Sequence, residues 1–238
     1  EGIDNVITCE TDLFFVVVRT QLLDDSDLGR VKQIQDAYQL QALSTFLGTE
    51  APGASIQNDF PEWIEGDQFT AQAFTYLDVM LRLTNPVAEE KPLVKKFARL
   101  GIGTENGIDM NSFPAEVQSA IGEGVKEGFA EIETFIRKIG SDPLASAKIF
   151  GTRKFLKESA QSNYGLEDFY VLRASAAHLG LYGNSGSEAI YPTYLMESPG
   201  VPNDASKNNY TMTFDKDQLP PVKAFWSLSM YDGKTQLF

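Results

Sequence analysis

Residues 225–231, close to the end of the chain, constrain the fold more than any other stretch because they carry large side chains on both faces. In an extended chain one face holds Phe225, Ser227, Ser229 and Tyr231, and the other holds Trp226, Leu228 and Met230. Successive side chains of a strand point to opposite faces, so apolar groups on both faces are typical of a strand inside a β-sandwich. The pattern therefore predicts an interior strand.

The residues after this predicted strand favour a hairpin. Asp232 and Gly233 form a dipeptide typical of two-residue hairpin loops, and residues 234–238 read as the start of a returning strand. The sheet would be incomplete at that point, so we expect the chain to be a fragment of a larger protein. Two further strands are predicted upstream, at residues 190–195 and 210–214, where hydrophobicity has a period close to two.

The middle of the chain has the 3.6-residue period of amphipathic helices. Longer helices are predicted over residues 67–84, 92–100, 112–140 and 166–182, and a shorter one after the capping side chains of residues 24–27. The third of the longer helices contains Gly122, Gly124 and Gly128. Each glycine weakens a helix by roughly 1 kcal/mol relative to alanine, so we expect another backbone to pack closely there.

These elements indicate an α+β fold, with a helical layer between the end of one β domain and the start of a second, jelly-roll-like β-sandwich domain. A buried strand at residues 13–18 represents the first domain, because that run is β-branched and aromatic. The predicted divisions are residues 1–48 for the end of the first domain, 49–61 for a linker, 62–183 for the helical region and 184–238 for the start of the sandwich.

Composition argues against several classes of protein. The 238 residues include 20 Lys and Arg against 33 Asp and Glu, a formal net charge of −13 that repels nucleic acid. Cys9 and His178 are the single cysteine and histidine, so we expect no intrachain disulfide and no metal site. No apolar stretch approaches the ~20 residues of a membrane span. No motif indicates a cofactor.

The residues form no recognisable catalytic set, but five are candidates for ligand binding. Arg173 and Tyr170 lie on a predicted helix composed for burial, where a cation needs a carboxylate partner or holds an anionic ligand. The ion pair is the favoured interpretation. His178 is interpreted as a packed core histidine, with a role as ligand or base as the alternative. Trp226 and Tyr231 could line a pocket or stack on a sugar, although packing in the core of a sandwich is the favoured interpretation.

Three stretches resemble two families named as domains of unknown function, DUF1254 and DUF1214. Residues 11–19 with 38–44 resemble the end of DUF1254, and residues 163–181 resemble the helical part of DUF1214. Residues 219–232, which read Leu-Pro-Pro-Val-Lys-Ala-Phe-Trp-Ser-Leu-Ser-Met-Tyr-Asp, are similar to the most recognisable block of DUF1214. The resemblance implies a β-rich domain that begins before residue 1 and strands that continue after residue 238. It implies no catalytic residues, because the family has no established catalytic motif.

The expected function is that of an exported or cell-surface protein, periplasmic or extracellular, that binds a small molecule or carbohydrate. One alternative is a hydrolase in which carboxylates or His178 act with residues outside this sequence. Another is a structural assembly subunit, a homo-oligomer joined through apolar strips on the helices of Phe74 or Phe129. Asn209 begins the triplet Asn-Tyr-Thr and is a candidate glycosylation site in a secreted eukaryotic protein.

Overall fold

A computed structural model describes residues 3–7, 14–51, 53, 60–194, 196–198 and 201–232. The chain forms two compact units, Glu1–Pro192 and Thr193–Phe238. In the described residues the first unit is helical, and the second contains a short antiparallel ribbon. The four sequence divisions given above stay a prediction.

Helices supply the regular structure of the first unit. The α-helices are α1 (Leu28–Asp36), α2 (Leu43–Leu47), α3 (Ala73–Leu83), α4 (Lys91–Ala98), α5 (Ala115–Ile139), α6 (Ser146–Ile149), α7 (Arg153–Tyr164) and α8 (Tyr170–Gly180). Short 3-10 turns lie at Asp25–Asp27, Asp67–Phe69, Ala88–Glu90 and Met110–Ser112. The second unit contains β1 (Met196–Ser198), which pairs with β2 (Val201–Pro202). The predicted helices are confirmed as α1, α3, α4, α5 and α8.

Local signals explain where the helices begin and end. The Thr152 hydroxyl accepts a hydrogen bond from the Phe155 amide at 3.3 Å and caps the start of α7. Gly165, with φ of 66°, ends α7 in the left-handed conformation that glycine adopts without strain. In α5 an acid, Glu116, lies in the first turn and two cations lie in the last, which complements the helix dipole.

The core of the first unit lies where α5 and α8 pack together. Leu172 of α8 is fully buried, and Phe135 and Ile139 of α5 belong to the same apolar cluster. α7 adds Leu156 and Ala160 to this cluster. Burying a large apolar side chain contributes roughly 1.5–3 kcal/mol, so the cluster fixes the position and rotation of α8. The remaining faces of α8 therefore present their side chains in a defined direction.

A buried carboxylate organises the loop between α4 and α5. Asp78 is 4% exposed, and its Oδ1 accepts the Gly103 N–H at 2.7 Å while its Oδ2 lies 3.0 Å from Arg82 Nη2. Gly101 has φ of 86°, and a Cβ there would lie 2.5 Å from the carbonyl oxygen of Gly107. Position 101 thus requires glycine for both its conformation and its space.

The predicted β-sandwich is wrong for the described residues. Residues 14–18, 190–194, 210–214 and 225–231 form neither helix nor strand, and Trp226 and Phe14 are 46% and 68% exposed. A strand is stable when neighbouring strands bond its amides and cover its faces. No described segment pairs with these residues, so alternation alone does not produce a sheet. Residues 195 and 233–238, also predicted as strand, lie outside the described residues.

The fold class is corrected accordingly. Within the described residues, the pairing of β1 with β2 is the only β-ladder, so the second unit is not a jelly-roll-like sandwich. The close packing expected at the glycines of α5 is also absent. A Cβ built on Gly122, Gly124 or Gly128 would meet no atom within 4 Å. These glycines weaken α5 without serving a contact among the described residues.

Candidate functional site

Arg173 has the carboxylate partner that its position on α8 predicted. Its Nη1 donates to Glu90 Oε1 at 2.7 Å. Glu90 closes the 3-10 turn Ala88–Glu90, far from α8 along the chain. The Glu90 side chain is 14% exposed and that of Arg173 is 37% exposed. The pair therefore lies at the edge of the core, where solvent screens it only partly.

The same carboxylate oxygen also contacts a second guanidinium. Arg153, the first residue of α7, places its Nε 3.2 Å from Glu90 Oε1. Glu90 thus ties together the turn that precedes α4 and the starts of α7 and α8. Mutual attraction to one anion holds the two cations closer together than their own charges favour.

Two aromatic rings orient the guanidinium of Arg173. Its Cζ lies 4.9 Å from the ring centroid of Phe169 and 5.5 Å from that of Tyr170. The rings themselves stack, with centroids 5.2 Å apart and planes at 28°. Phe169 is 6% exposed and belongs to the core, whereas Tyr170 is 43% exposed. Cation-π attraction to a ring anchored in the core restricts the rotamers of Arg173.

A further cation lies over one of these rings, that of Phe169. The Lys157 ammonium, from α7, lies 5.4 Å from the ring centroid of Phe169. Among the described residues Lys157 forms no ion pair with a carboxylate. We call Lys157, Phe169, Tyr170 and Arg173 the cation-aromatic face. It is a local concentration of positive charge and exposed ring in a protein of net charge −13.

The chemistry of this face suits recognition of an anion attached to a flat group. Arg173 uses Nη1 for Glu90, and within the described residues its Nη2 makes no hydrogen bond. A guanidinium presents its donors in a rigid fork that matches a carboxylate, and the exposed Tyr170 ring offers a stacking surface. The nearest acid in sequence, Asp168, already accepts the Tyr170 amide at 3.0 Å.

His178 does not belong to this face. It lies on α8 and is exposed, so the expectation of a packed core histidine is wrong. Its position near the C-terminus of α8, beyond the buried Leu172, Ser175 and Ala176, turns it to solvent. Among the described residues it forms no hydrogen bond or ion pair with a carboxylate, so the base expected for a hydrolase has no orienting partner there.

The other predicted residues lie in the second unit. Trp226 is 46% exposed, Tyr231 is 56% exposed and Asn209 is exposed. The Trp226 ring packs against Phe214, with centroids 5.4 Å apart. Of the five predicted ligand-binding residues, the structure of the first unit brings together Tyr170 and Arg173. Ligand binding by any of the five stays a prediction.

Residue analysis missed several members of the site. Glu90 is not among the five predicted residues, yet it is the mostly buried partner of two arginines. Helix α7, which carries Arg153 and Lys157, was not predicted at all. Its signals were present in the sequence, because Thr152 is a capping residue and Gly165 is a stop. No local signal could pair Glu90 with Arg173, which lies 83 residues away.

No group of three or more His, Cys, Asp and Glu side chains with metal-binding geometry occurs in the described part of the chain. Among the helices described, none combines the length and apolar character needed to cross a bilayer.

Comparison with known proteins gives one match. Residues 188–238 match the family described as "Protein of unknown function (DUF1214)". The DUF1214 part of the resemblance is therefore confirmed over that range, and the DUF1254 part stays a prediction. The match begins after α8, so the cation-aromatic face lies outside it. No curated protein and no solved structure matches the chain.

Proposed function

We propose that the protein binds a small molecule that carries a carboxylate or a similar planar anion next to a flat ring, and that it does so on the cation-aromatic face. The single observation that carries this proposal is the set of contacts made by the Arg173 guanidinium. Its guanidinium is stacked on two rings and anchored through Nη1, while Nη2 makes no hydrogen bond to any described residue.

Preorganisation supports the proposal energetically. A free arginine side chain loses rotamer entropy when it binds a ligand, at a cost of about 0.5–1.5 kcal/mol. In Arg173 the Glu90 contact and the Phe169 ring have already ordered the side chain. Lys157, 5.4 Å from the Phe169 centroid, adds a second positive charge close to the same ring. The exposed ring of Tyr170 accounts for the flat part of the ligand.

Paired ligands separate the role of the anion from that of the ring. Benzoate should raise the melting temperature of the protein. Benzamide, which keeps the flat ring and loses the charge, and glucuronate, which keeps a carboxylate on a puckered ring, should each raise it much less. Stabilisation reaches about 2.7 kcal/mol when the ligand is present at 100 times its Kd. The melting temperature should keep rising with the logarithm of ligand concentration, and a fit of that rise gives the affinity.

Variants assign the effect to the face. Arg173→Gln should weaken benzoate binding by about 10-fold to 100-fold, because a hydrogen bond to a charged group contributes about 1.5–3 kcal/mol. Arg137→Gln is the matched control, since Arg137 is an exposed arginine whose contacts, with Glu133 at 3.7 Å and the Thr134 hydroxyl at 3.1 Å, stay within α5. If no carboxylate stabilises the wild type, or if both variants lose binding equally, the proposal fails.

The proposal includes an exported or cell-surface location, periplasmic or extracellular. The acidic composition, with net charge −13, supports it, because such charge keeps proteins soluble in salty surroundings. Fractionation of source cells, followed by detection of the chain in the periplasmic or extracellular fraction, tests this part separately. Recovery from the cytoplasm alone would contradict it.

A further inference from the structure

An open groove lies between α5 and the segment that leads into α8. Its volume is about 400 Å³, and its floor and wall are formed by Phe135 of α5 with Leu166 and Val171 from the start of the α8 region. Thr134 lies in the middle of the α5 side. The lining is predominantly apolar, so the groove favours a partner that covers it.

Two opposite charges stand at the ends of this groove. Glu131 and Lys138 both line it, and both are exposed. They are seven residues apart, which is about two helical turns or about 10.5 Å along one face of α5. Neither forms an ion pair with any described residue. A partner should therefore carry a cation opposite Glu131 and an anion opposite Lys138, at the same separation.

We propose that the partner is a second copy of this chain, docked through α5 in an antiparallel two-fold arrangement. When the two-fold axis passes close to Thr134, Glu131 of each copy faces Lys138 of the other. In such an interface every contact occurs twice, so one helix face supplies both charge pairs. The apolar strip between the charges is then covered by its own counterpart.

The shape of the groove agrees with a helix as its occupant. Helices pack with axes 8–10 Å apart when the side chains between them are small, and Thr134 and Ala130 are the α5 residues at the centre of this face. Phe129, proposed above as part of an oligomer contact, is instead used inside the unit, because its ring packs on Phe69 with centroids 4.8 Å apart. The self-association surface is thus on the opposite side of α5.

Charge reversal provides a sharp test by sedimentation over a concentration series of the full chain. Lys138→Glu gives an all-negative groove and Glu131→Lys an all-positive one, so each variant alone should dimerise at least about tenfold more weakly than the wild type. An equimolar mixture of the two variants should recover dimers, because every contact in the heterodimer is again between opposite charges. The double variant, with both charges reversed, should dimerise like the wild type.

Both substitutions are on exposed positions of a helix, and circular dichroism verifies that each variant stays folded. If a variant unfolds, the mixture is repeated with the milder pair Lys138→Gln and Glu131→Gln, each expected to weaken dimers less than the reversal. A wild-type monomer up to about 1 mM, well above the Kd of weak specific pairs, overturns the proposal. So does a dimer whose affinity is unchanged by either reversal, or a mixture that fails to recover it.

Discussion

Replacing Glu90 by glutamine should lower the stability of the protein and raise its affinity for anions. The amide keeps an oxygen that can accept from Arg173 Nη1, now 2.7 Å away, but it removes the charge shared with Arg153. A hydrogen bond to a charged group contributes about 1.5–3 kcal/mol and a neutral one about 0.5–1.5 kcal/mol. The loss is therefore about 1–1.5 kcal/mol for the Arg173 hydrogen bond, and the Arg153 contact, which is an ion pair without hydrogen-bond geometry, adds a coulombic loss of up to about 1 kcal/mol.

Solvent reduces this sum. The Arg173 side chain is 37% exposed, so its contact is partly screened, whereas Arg153 and Glu90 are 21% and 14% exposed. We expect Glu90→Gln to lower the free energy of unfolding by about 2 kcal/mol. The same substitution should have the opposite effect on anion binding. Removing a negative charge beside it should tighten binding of benzoate by about threefold to tenfold.

Urea denaturation of wild type, Glu90→Gln, Arg173→Gln and the double variant measures both quantities when it is repeated with benzoate. The double-mutant cycle formed by these four proteins should give a coupling free energy between Glu90 and Arg173 of about 1 kcal/mol. This coupling should decrease only modestly in ~1 M salt. Zero coupling, or a Glu90→Gln protein that binds benzoate more weakly than the wild type, would refute the reasoning.

Three further predictions concern the scaffold. Gly101→Ala should lower the free energy of unfolding by more than about 2 kcal/mol, because its Cβ would meet a carbonyl oxygen at 2.5 Å and its φ is 86°. Gly128→Ala should instead raise the free energy of unfolding by up to about 1 kcal/mol. Chemical denaturation of both variants tests the contrast. Leu172→Ala, at a fully buried position, should cost about 3–4 kcal/mol in the same assay. Burial, with a smaller effect of the Asp142 carboxylate, raises the pKa of Tyr164 to about 12. The unfolded chain loses this proton near its usual pKa of about 10, so stability present below pH 10 should fall by about 1 kcal/mol as pH rises to 12. Tyr164→Phe should abolish that fall in unfolding experiments across this range.

Helices could be predicted from the sequence because their signals are local. The apolar stripe of α5 and its acid and cations at opposite ends lie within one segment, and the apolar residues of α8 likewise lie within one short stretch. α7 was equally accessible, since Thr152 and Gly165 bracket it. Its apolar positions are fewer, with a mean hydropathy below that of α5, and this obscured the period.

The sandwich could not be judged from alternation because a strand depends on partners that the alternating residues do not contain. The 225–231 segment has suitable side chains, yet it forms no β-ladder with a described segment. The candidate site also combines a feature that the sequence predicts with one that it does not. A cation on an apolar helix such as Arg173 predicts that a carboxylate exists, but the identity of Glu90 depends on tertiary packing across 83 residues.

The most direct test of ligand binding at the cation-aromatic face is a side-chain NMR titration of protein labelled with ¹⁵N-arginine, with the Arg173 signals assigned by their loss in Arg173→Gln. Addition of benzoate should shift the Arg173 guanidinium signals in a saturable manner, with those of the exposed Arg137 unchanged. Arg173 signals that stay in place up to millimolar benzoate and glucuronate, or that move no more than those of Arg137, would contradict binding at this face.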